Sequence, residues 1–477
     1  MRNRLLSATL LAGGLVTGFC ACASTAHAAD LREAWLAARQ QHPDMAAAAA
    51  SRAAGDARRL QARRLWNPTV TAQATAGAMG SQTSAQGAAF SMPGSSPASG
   101  VGFETSVHNG PGSRWGVEAR WPLYGPERSA QERQLLLSAD LTELQAASGQ
   151  QQLMLRTAQQ YFAAVLAQQQ HALLVSQQSA TDRALTEAQD RFTLGDAPVT
   201  DVREAQARAL GNEALVQAAQ VEMQIAREAL AQTTGWNTAQ IPPLQLPAAL
   251  GDSTSAQRDN AALAPLPQWL ELAARNNLQV RMQTQQRALA EQEATKATRA
   301  ASTKIDLVGQ AGGDHLSGSG RWGSASNSAR QYVVGVQIQV PLYTGGQVEA
   351  RQQELLRLQD KAQADLDSAQ LTVAQQVRAT WLQLQASAAR TRALDSALRA
   401  SNIRLAATEL GRQVGDRTTL ELLQAQNDAI QAQSNQLEHH ARVAQQRLQL
   451  MALTDQLDEP ALKAATDPAH MLAPPRP

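Results

Sequence analysis

Apolar residues recur along this chain with two different periods. The longer period is that of a helix: Leu355, Leu358, Ala362, Leu366, Ala369, Val373, Val377, Trp381, Leu384 and Ala388 follow one another in steps of three and four, which places them on one face of an α-helix. Thirty-three residues in nine steps is about 3.67 per turn. That is nearer an 11-residue than a 7-residue repeat and predicts little left-handed supercoil. Residues 126–194 and 345–414 hold helical patterning for about 70 residues each, and at about 1.5 Å per residue each helix runs about 100 Å. Shorter helical stretches, near 35 residues, cover about 31–65 and 201–234. Two of these laid end to end match one long helix, so each half of the chain is expected to pair one long helix with two short ones in line.

The shorter period is that of a strand. Trp115, Val117, Ala119, Trp121 and Leu123 alternate with Glu118 and Arg120, and Val334, Val336, Ile338, Val340 and Leu342 alternate with Gln337 and Gln339, giving one apolar and one polar face. Weaker alternation marks 67–78, with Val70, Ala72 and Ala74, and 303–311, with Ile305, Leu307 and Gly309. Strands of about 10 residues with this pattern suit an outer-membrane barrel. Alternation by itself equally fits a soluble antiparallel sheet with one buried face. Helices this long and thin cannot cover such a sheet, which favours the membrane. Four strands cannot close, because the smallest membrane barrels use about eight, so several chains must contribute. Pro122 and Pro341 lack a donor and are expected to end their ladders. Tyr124 and Tyr343, with an apolar ring and a polar tip, suit the water interface.

The chain is also written twice. "LAARQQHP" at 36–43 recurs as "LAARNNLQ" at 272–279, Pro122-Leu123-Tyr124 recurs at Pro341-Leu342-Tyr343, and "GDAPVTDVREAQ" at 195–206 recurs as "GDRTTLELLQAQ" at 415–426. A period this long means duplication of a whole architectural unit. Between the halves, residues 235–268 are rich in Pro, Asn, Ser and Thr, which marks a linker or a small irregular layer.

Composition narrows the class further. Aromatic content is only 4% and the net charge is +1, so an elongated protein is expected and nucleic acid is not a favoured partner. Residues 1–28 read as a signal peptide: Arg2 and Arg4 precede an apolar run from Leu5 to about Phe19, and "AHA" at 26–28 offers small residues for cleavage. Cys20 and Cys22 lie inside this segment, either as apolar signal residues or as a lipidated cysteine; bulky Phe19 disfavours the second. No later stretch reaches the ~18–20 apolar residues of a spanning helix. His42, His108, His171, His315, His439, His440 and His470 show no ligand spacing, and adjacent His439 and His440 read as a surface pair. No phosphate loop, nucleophile elbow or acid pair emerges, so no metal, cofactor or enzymatic activity is expected.

Together these motifs resemble the TolC family of outer-membrane efflux channels. The likeness runs from "LREAWLAARQQHPD" at 31–44 to about Leu457, through Asn67-Pro68, "QQYFAAVLAQ" at 159–168, "RFTLGDAPVTDVREAQAR" at 191–208, "VPLYTGGQV" at 340–348 and "ELGRQVGDRTTLELLQAQN" at 409–427. The resemblance implies a mainly α chain with a small β part. Its long antiparallel helices would form an α-barrel below a trimeric 12-stranded transmembrane β-barrel to which each chain gives four strands. The units would be helical 29–65, first hairpin 66–125, first tunnel repeat 126–234, equatorial layer 235–268, helical 269–302, second hairpin 303–344, second tunnel repeat 345–456 and a disordered tail 457–477. Polar loops 79–113 and 312–330 would face outside the cell.

The resemblance also implies a homotrimer in the outer membrane that extends into the periplasm and works with a periplasmic adaptor (membrane fusion) protein and an inner-membrane pump. Its function would be the exit duct of a tripartite efflux pump or a type I secretion system, with the cargo left open. Asp201 and Arg417 would belong to an ionic latch at the periplasmic turns, joined by Arg412, which stands where the family has a tyrosine. Glu421 and Gln424 match the pore constriction, leaving one charged ring where the family has two. The residues themselves allow a plainer reading: Thr418 and Glu421 form a capping box, and Asp201 suits a helix start. An exported helical scaffold or adhesin and an ungated diffusion porin remain as alternatives.

Overall fold

The described elements run α1 (Leu31–Gln41), α2 (Pro43–Arg64), β1 (Thr69–Phe90), β2 (Ala98–Tyr124), α3 (Pro126–Thr193), α4 (Val199–Thr234), α5 (Leu266–Asn276), α6 (Leu278–Arg299), β3 (Lys304–Gly320), β4 (Gly323–Gln339), α7 (Gln347–Gln413), α8 (Thr419–Leu453) and α9 (Glu459–Thr466). This computed structural model describes residues 29–466 except 91–92, 95, 97, 197, 238–240, 242–243, 245–262 and 321–322. The expected signal peptide, with Cys20 and Cys22, lies outside the described residues.

The short helices break where the repeat predicts a shared feature. Pro43 cannot continue α1, so His42 leaves the helical region and its Nδ1 accepts the Asp44 N–H at 3.1 Å. In the second half Asn277 does the same work, its Oδ1 accepting from Gln279 and Val280. The stretches 29–65 and 269–302 are therefore each two helices rather than one.

The helices form a single layer, one helix thick. On the strand side the order is α2, α3, α6, α7; towards the far end it is α4, α3, α8, α7. The long helices α3 and α7 run the whole length, and the short ones stack in line beside them. Both flanks of the layer are open, α2 and α4 on one side and α7 on the other. Exposed apolar residues mark these flanks, among them Leu210, Leu215 and Ile225 on α4 and Leu371, Leu382 and Ile403 on α7.

The thickest packing is at the waist. There Leu31 and Trp35 of α1, Tyr161, Phe162 and Val165 of α3, Leu230 of α4, Leu448 of α8 and Leu462 of α9 make one cluster. Tyr161 and Phe162 pack edge to face, with centroids 5.9 Å apart. The Tyr161 hydroxyl donates to the Ala29 carbonyl at 3.1 Å, and burial pushes its phenol well above the usual range. Phe162→Ala is expected to cost about 3–5 kcal/mol, read as a lower melting temperature of the full chain in detergent. A second cluster joins Trp269 and Ala273 of α5 to Val373, Val377 and Leu384 of α7 and Val443 and Leu450 of α8.

The strands form one antiparallel sheet in the order β1, β2, β3, β4. Directly paired residues point the same way, and the register carries each face across all four strands. Val70, Ala119, Gly309 and Val334 stand in one row, and Ala72, Val117, Ala311 and Tyr332 in the next. The intervening rows run Thr71, Glu118, Gln310, Val333 and Thr69, Arg120, Val308, Gly335. No layer covers the apolar face: Val334 is 80% exposed, and Trp121, Val336 and Ile338 lie open beside it. β1 and β4 are free edges.

Four expectations are revised by these elements. Loops 79–113 and 312–330 are mostly strand, because Gly, Ser, Thr and Gln pair through their backbones without producing an apolar alternation. Pro122 does not end β2. It pairs with Asp306 past the last β1 partner, an edge position that tolerates proline, and the strand ends at Tyr124 after a bulge. β4 in contrast stops at Gln339, before Pro341 and Tyr343. Finally, the tail expected from 457 contains α9, whose Leu462 is fully buried and whose Glu459 meets Arg39 at 2.8 Å; 467–477 lie outside the described residues. The buried stripe of α7 also departs from the sequence pattern: Leu358 is exposed, and beyond Val377 the buried positions include Thr380, Ser387, Thr391 and Asp395 beside Leu384. Polar residues share the inner positions there, which an apolar pattern does not mark.

Candidate functional site

The far end of the helical layer is two copies of one turn. Gly195 and Gly415 both adopt left-handed conformations, φ 82° and 84°, which a side chain would strain. Their N–H groups donate to Phe192 and Arg412 carbonyls at 3.0 and 3.1 Å, and Asp196 and Asp416 donate to Arg191 and Gly411 carbonyls at 2.9 and 2.8 Å. The entries to the next helices differ. Thr418 caps α8 reciprocally: its hydroxyl accepts the Glu421 N–H at 3.2 Å while the Glu421 carboxylate accepts the Thr418 N–H at 2.9 Å. That backbone bond, with the Arg417 guanidinium at 3.0 Å, holds the Glu421 carboxyl below its ordinary range. At α4 the cap is Pro198, without a side-chain bond, and Asp201 supplies negative charge to the first turn.

Within one chain the basic residues do not meet Asp201. Arg412, at the end of α7, donates to Glu187 of α3, which also accepts from Arg191 at 2.8 Å. Arg417 is taken by Glu421. Asp201 accepts only the Thr200 hydroxyl, at 3.4 Å, among the described residues, and lines a pocket of about 120 Å³ between the two tips with Glu204, Arg208, Thr418 and Thr419. Sequence reasoning missed Glu187, although its spacing of four from Arg191 was a readable helical pair. Gln424 is exposed, and together with Glu421 and Asp428 it lies opposite the buried Leu422, Leu423, Ala425 and Ala429. Asp428 pairs with Arg404 of α7 at 2.8 Å.

Above these tips the α7–α8 contact is polar and buried. The Gln436 amide donates to Asp395 at 2.6 Å, and His439 Nε2 lies 3.0 Å from the Thr391 hydroxyl and 3.2 Å from the Ser387 carbonyl. His439 and His440 are thus buried, not a surface pair, because α8 presents that side to α7 and α3. Burial lowers the His439 pKa, and His440, Arg390 and Arg442 lower it further. A depressed histidine binds its proton more weakly in the folded state. Its stabilising effect is complete above about pH 6.5 and is lost as pH falls towards the folded value. Melting temperature is expected to fall less between about pH 7 and about pH 5 in His439→Gln than in the parent.

At the opposite end, the polar face of the sheet carries its own ion pairs. Arg120 meets Glu118 at 2.9 Å and Asp306 at 3.4 Å, and Lys304 at the base of β3 meets Glu127 of α3 at 2.7 Å. Among the described residues no His, Cys, Asp and Glu cluster has the geometry of a metal site, and no helix is long and apolar enough to cross a membrane.

This architecture has counterparts among known proteins. The chain is 26% identical over 291 residues to the outer membrane protein TolC of Vibrio cholerae, covering 61% of this chain and 65% of that one. It is 29% identical over 269 residues to the outer membrane efflux protein BepC of Brucella suis, covering 56% and 55% respectively. The matched stretches therefore span less than two thirds of these relatives. In three dimensions it is similar to the outer membrane protein VceC of Vibrio cholerae, with a TM-score of 0.67 at 16% identity over 90% of this chain and 97% of that one. The sequence pattern of the outer membrane efflux protein family matches residues 36–236 and 269–456. Both halves of the duplication and both hairpins fall within that match, and the chain belongs to the outer membrane efflux protein family.

Proposed function

We propose that three copies of this chain form an exit duct through the outer membrane and the periplasm, serving a tripartite efflux pump or a type I secretion system. The observation that carries this reading is a coincidence of edges. The sheet is open at β1 and β4, the helical layer is open at α2/α4 and at α7, and the sheet's apolar face is uncovered. A soluble monomer leaves none of these unsatisfied. Three copies supply twelve strands and close both layers at once, with the apolar face to lipid and the Arg120–Glu118–Asp306 face to the lumen. Hairpins β1–β2 and β3–β4 then project outward, and Gly195 and Gly415 mark the periplasmic mouth.

The mouth is the proposed gate. The Arg412–Glu187–Arg191 group ties the α3 tip to the α7 tip inside each protomer, and Asp201, unpaired with either arginine in the chain, is left to act across protomers with Arg417. Glu421 and Gln424 line the constriction. The turns dock to a periplasmic adaptor, and an inner-membrane pump supplies the energy. Purification without and with detergent, followed by single-channel recording, tests the reading. A detergent-dependent oligomer with low, partner-sensitive conductance is expected. A water-soluble monomer without conductance removes the duct, and steady high conductance of the unmodified protein identifies an ungated porin.

A further inference from the structure

The outward face of the sheet carries its charge at one end only. From Val70 to Ala76, Leu123 to Ser113, Ile305 to His315 and Ile338 to Ser328, the residues on that face include no acid; the basic groups are Arg330 and His315. Both lie at the end away from the helices. Arg330 is nine residues from Gln339, about 30 Å along the strand and about 23 Å along the barrel axis at a tilt of about 40°. This is close to the ~25 Å height of a barrel's apolar band, so Arg330 stands at the outer rim when Gln339 stands at the inner one.

The neighbourhood of Arg330 is built rather than incidental. Trp115, Gly313 and Arg330 occupy one row across β2, β3 and β4, and Ser113, His315 and Ser328 occupy the row above. The Trp115 indole leans across Gly313, where a Cβ would lie 3.0 Å from its Nε1. A side chain at 313 would press on the indole, whereas glycine leaves its N–H over β3, the neighbour of the arginine strand. Asp314, the nearest acid in sequence, points to the opposite face beside Arg114. Arg330 and His315 are exposed and form no ion pair among the described residues.

We propose that Arg330, His315 and the Trp115 indole N–H bind the phosphate of an outer-leaflet lipid. The guanidinium offers a planar two-donor fork matched to phosphate, and the ring N–H groups add donors from one side. The apolar rows beneath, through Tyr332, Val117 and Val334, take the acyl chains. This rests on the barrel standing in the outer membrane with its apolar face to lipid; it does not depend on the gate, the cargo or the pump.

The test uses the full-length oligomer in detergent, titrated with bisphosphorylated lipid A and read by native mass spectrometry. The parent is expected to retain the lipid. Arg330→Gln weakens retention by about tenfold, Arg330→Lys by less, and fully dephosphorylated lipid A binds the parent as poorly as it binds Arg330→Gln. Millimolar inorganic phosphate does not displace the lipid. Equal binding by Arg330→Gln and the parent, equal binding of the dephosphorylated lipid, or displacement by inorganic phosphate overturns the proposal. Ser328→Glu sets a carboxylate beside His315 without altering Arg330 and is expected to show the same loss, so unchanged binding there overturns it even where Arg330→Gln fails to assemble. Detergent dependence and conductance, measured on the same samples, report separately on the duct.

Discussion

Val336→Arg is expected to prevent stable insertion of the barrel while leaving the waist of the helical layer folded. Val336 lies within the apolar face, three residues in from Gln339 at the inner rim and six from Arg330 at the outer one, paired with Leu307 and open to its surroundings. An arginine on the lipid face of a barrel costs about 2–4 kcal/mol at the bilayer midplane and less towards the rims, so at about 2 kcal/mol for this depth a homotrimer that carries the change three times loses about 6 kcal/mol if the copies add. Gln337→Arg is the paired control. It lies one residue on, faces the other way beside Asp306, and should assemble like the parent. The heat-resistant oligomer in the membrane fraction is the measurement. Normal assembly of Val336→Arg together with failure of Gln337→Arg reverses the assignment of lipid and lumen faces.

The second large effect is at the periplasmic tips. Glu187→Gln and Arg412→Ala each remove the contact that ties α3 to α7, and both are expected to raise the open fraction of the isolated channel. The Glu187 side chain is 36% exposed, so the pair is screened and about 1 kcal/mol per copy is a fair magnitude. Three copies then give about 3 kcal/mol, on the order of a hundredfold in open frequency. Arg417→Ala should raise it as well: among the described residues Arg417 pairs inside the chain with Glu421 four residues away on the surface, so what its loss removes from the gate is the contact with Asp201 across protomers. High salt should mimic the Glu187 change in the parent and add little to the variant. Conductance unchanged in both variants removes this tie from the gate.

Much of the architecture was legible from periodicity. Steps of three and four over the α7 region, strict alternation in β2 and β4, and the 220-residue recurrence of the Gly-Asp turn are local properties of the chain. Each survives in the structure because helix, strand and left-handed turn impose their spacing on neighbouring residues. The outer parts of the hairpins were not legible. There Gly, Ser and Gln pair through backbone groups, which are alike in every residue and leave no side-chain pattern to read. Nor was α9, a short segment beside prolines that is ordered only because Leu462 enters the waist cluster and Glu459 finds Arg39.

The candidate site divides in the same way. The turns, the Thr418–Glu421 capping box and the acidic start of α4 follow from sequence, because caps join residues three or four apart. The partner of Arg412 does not, since Glu187 is 225 residues away and only the ordering of α3 and α7 in one layer brings the two together. The burial of His439 and His440 was likewise set by which side of α8 meets α7 and α3. By itself the sequence determined two rods, four two-faced strands and two equivalent turns, all products of short-range stereochemistry. The tertiary structure alone decided which charges pair, which polar residues are buried and which edges are left open, because those depend on contacts between segments tens to hundreds of residues apart that no local period encodes.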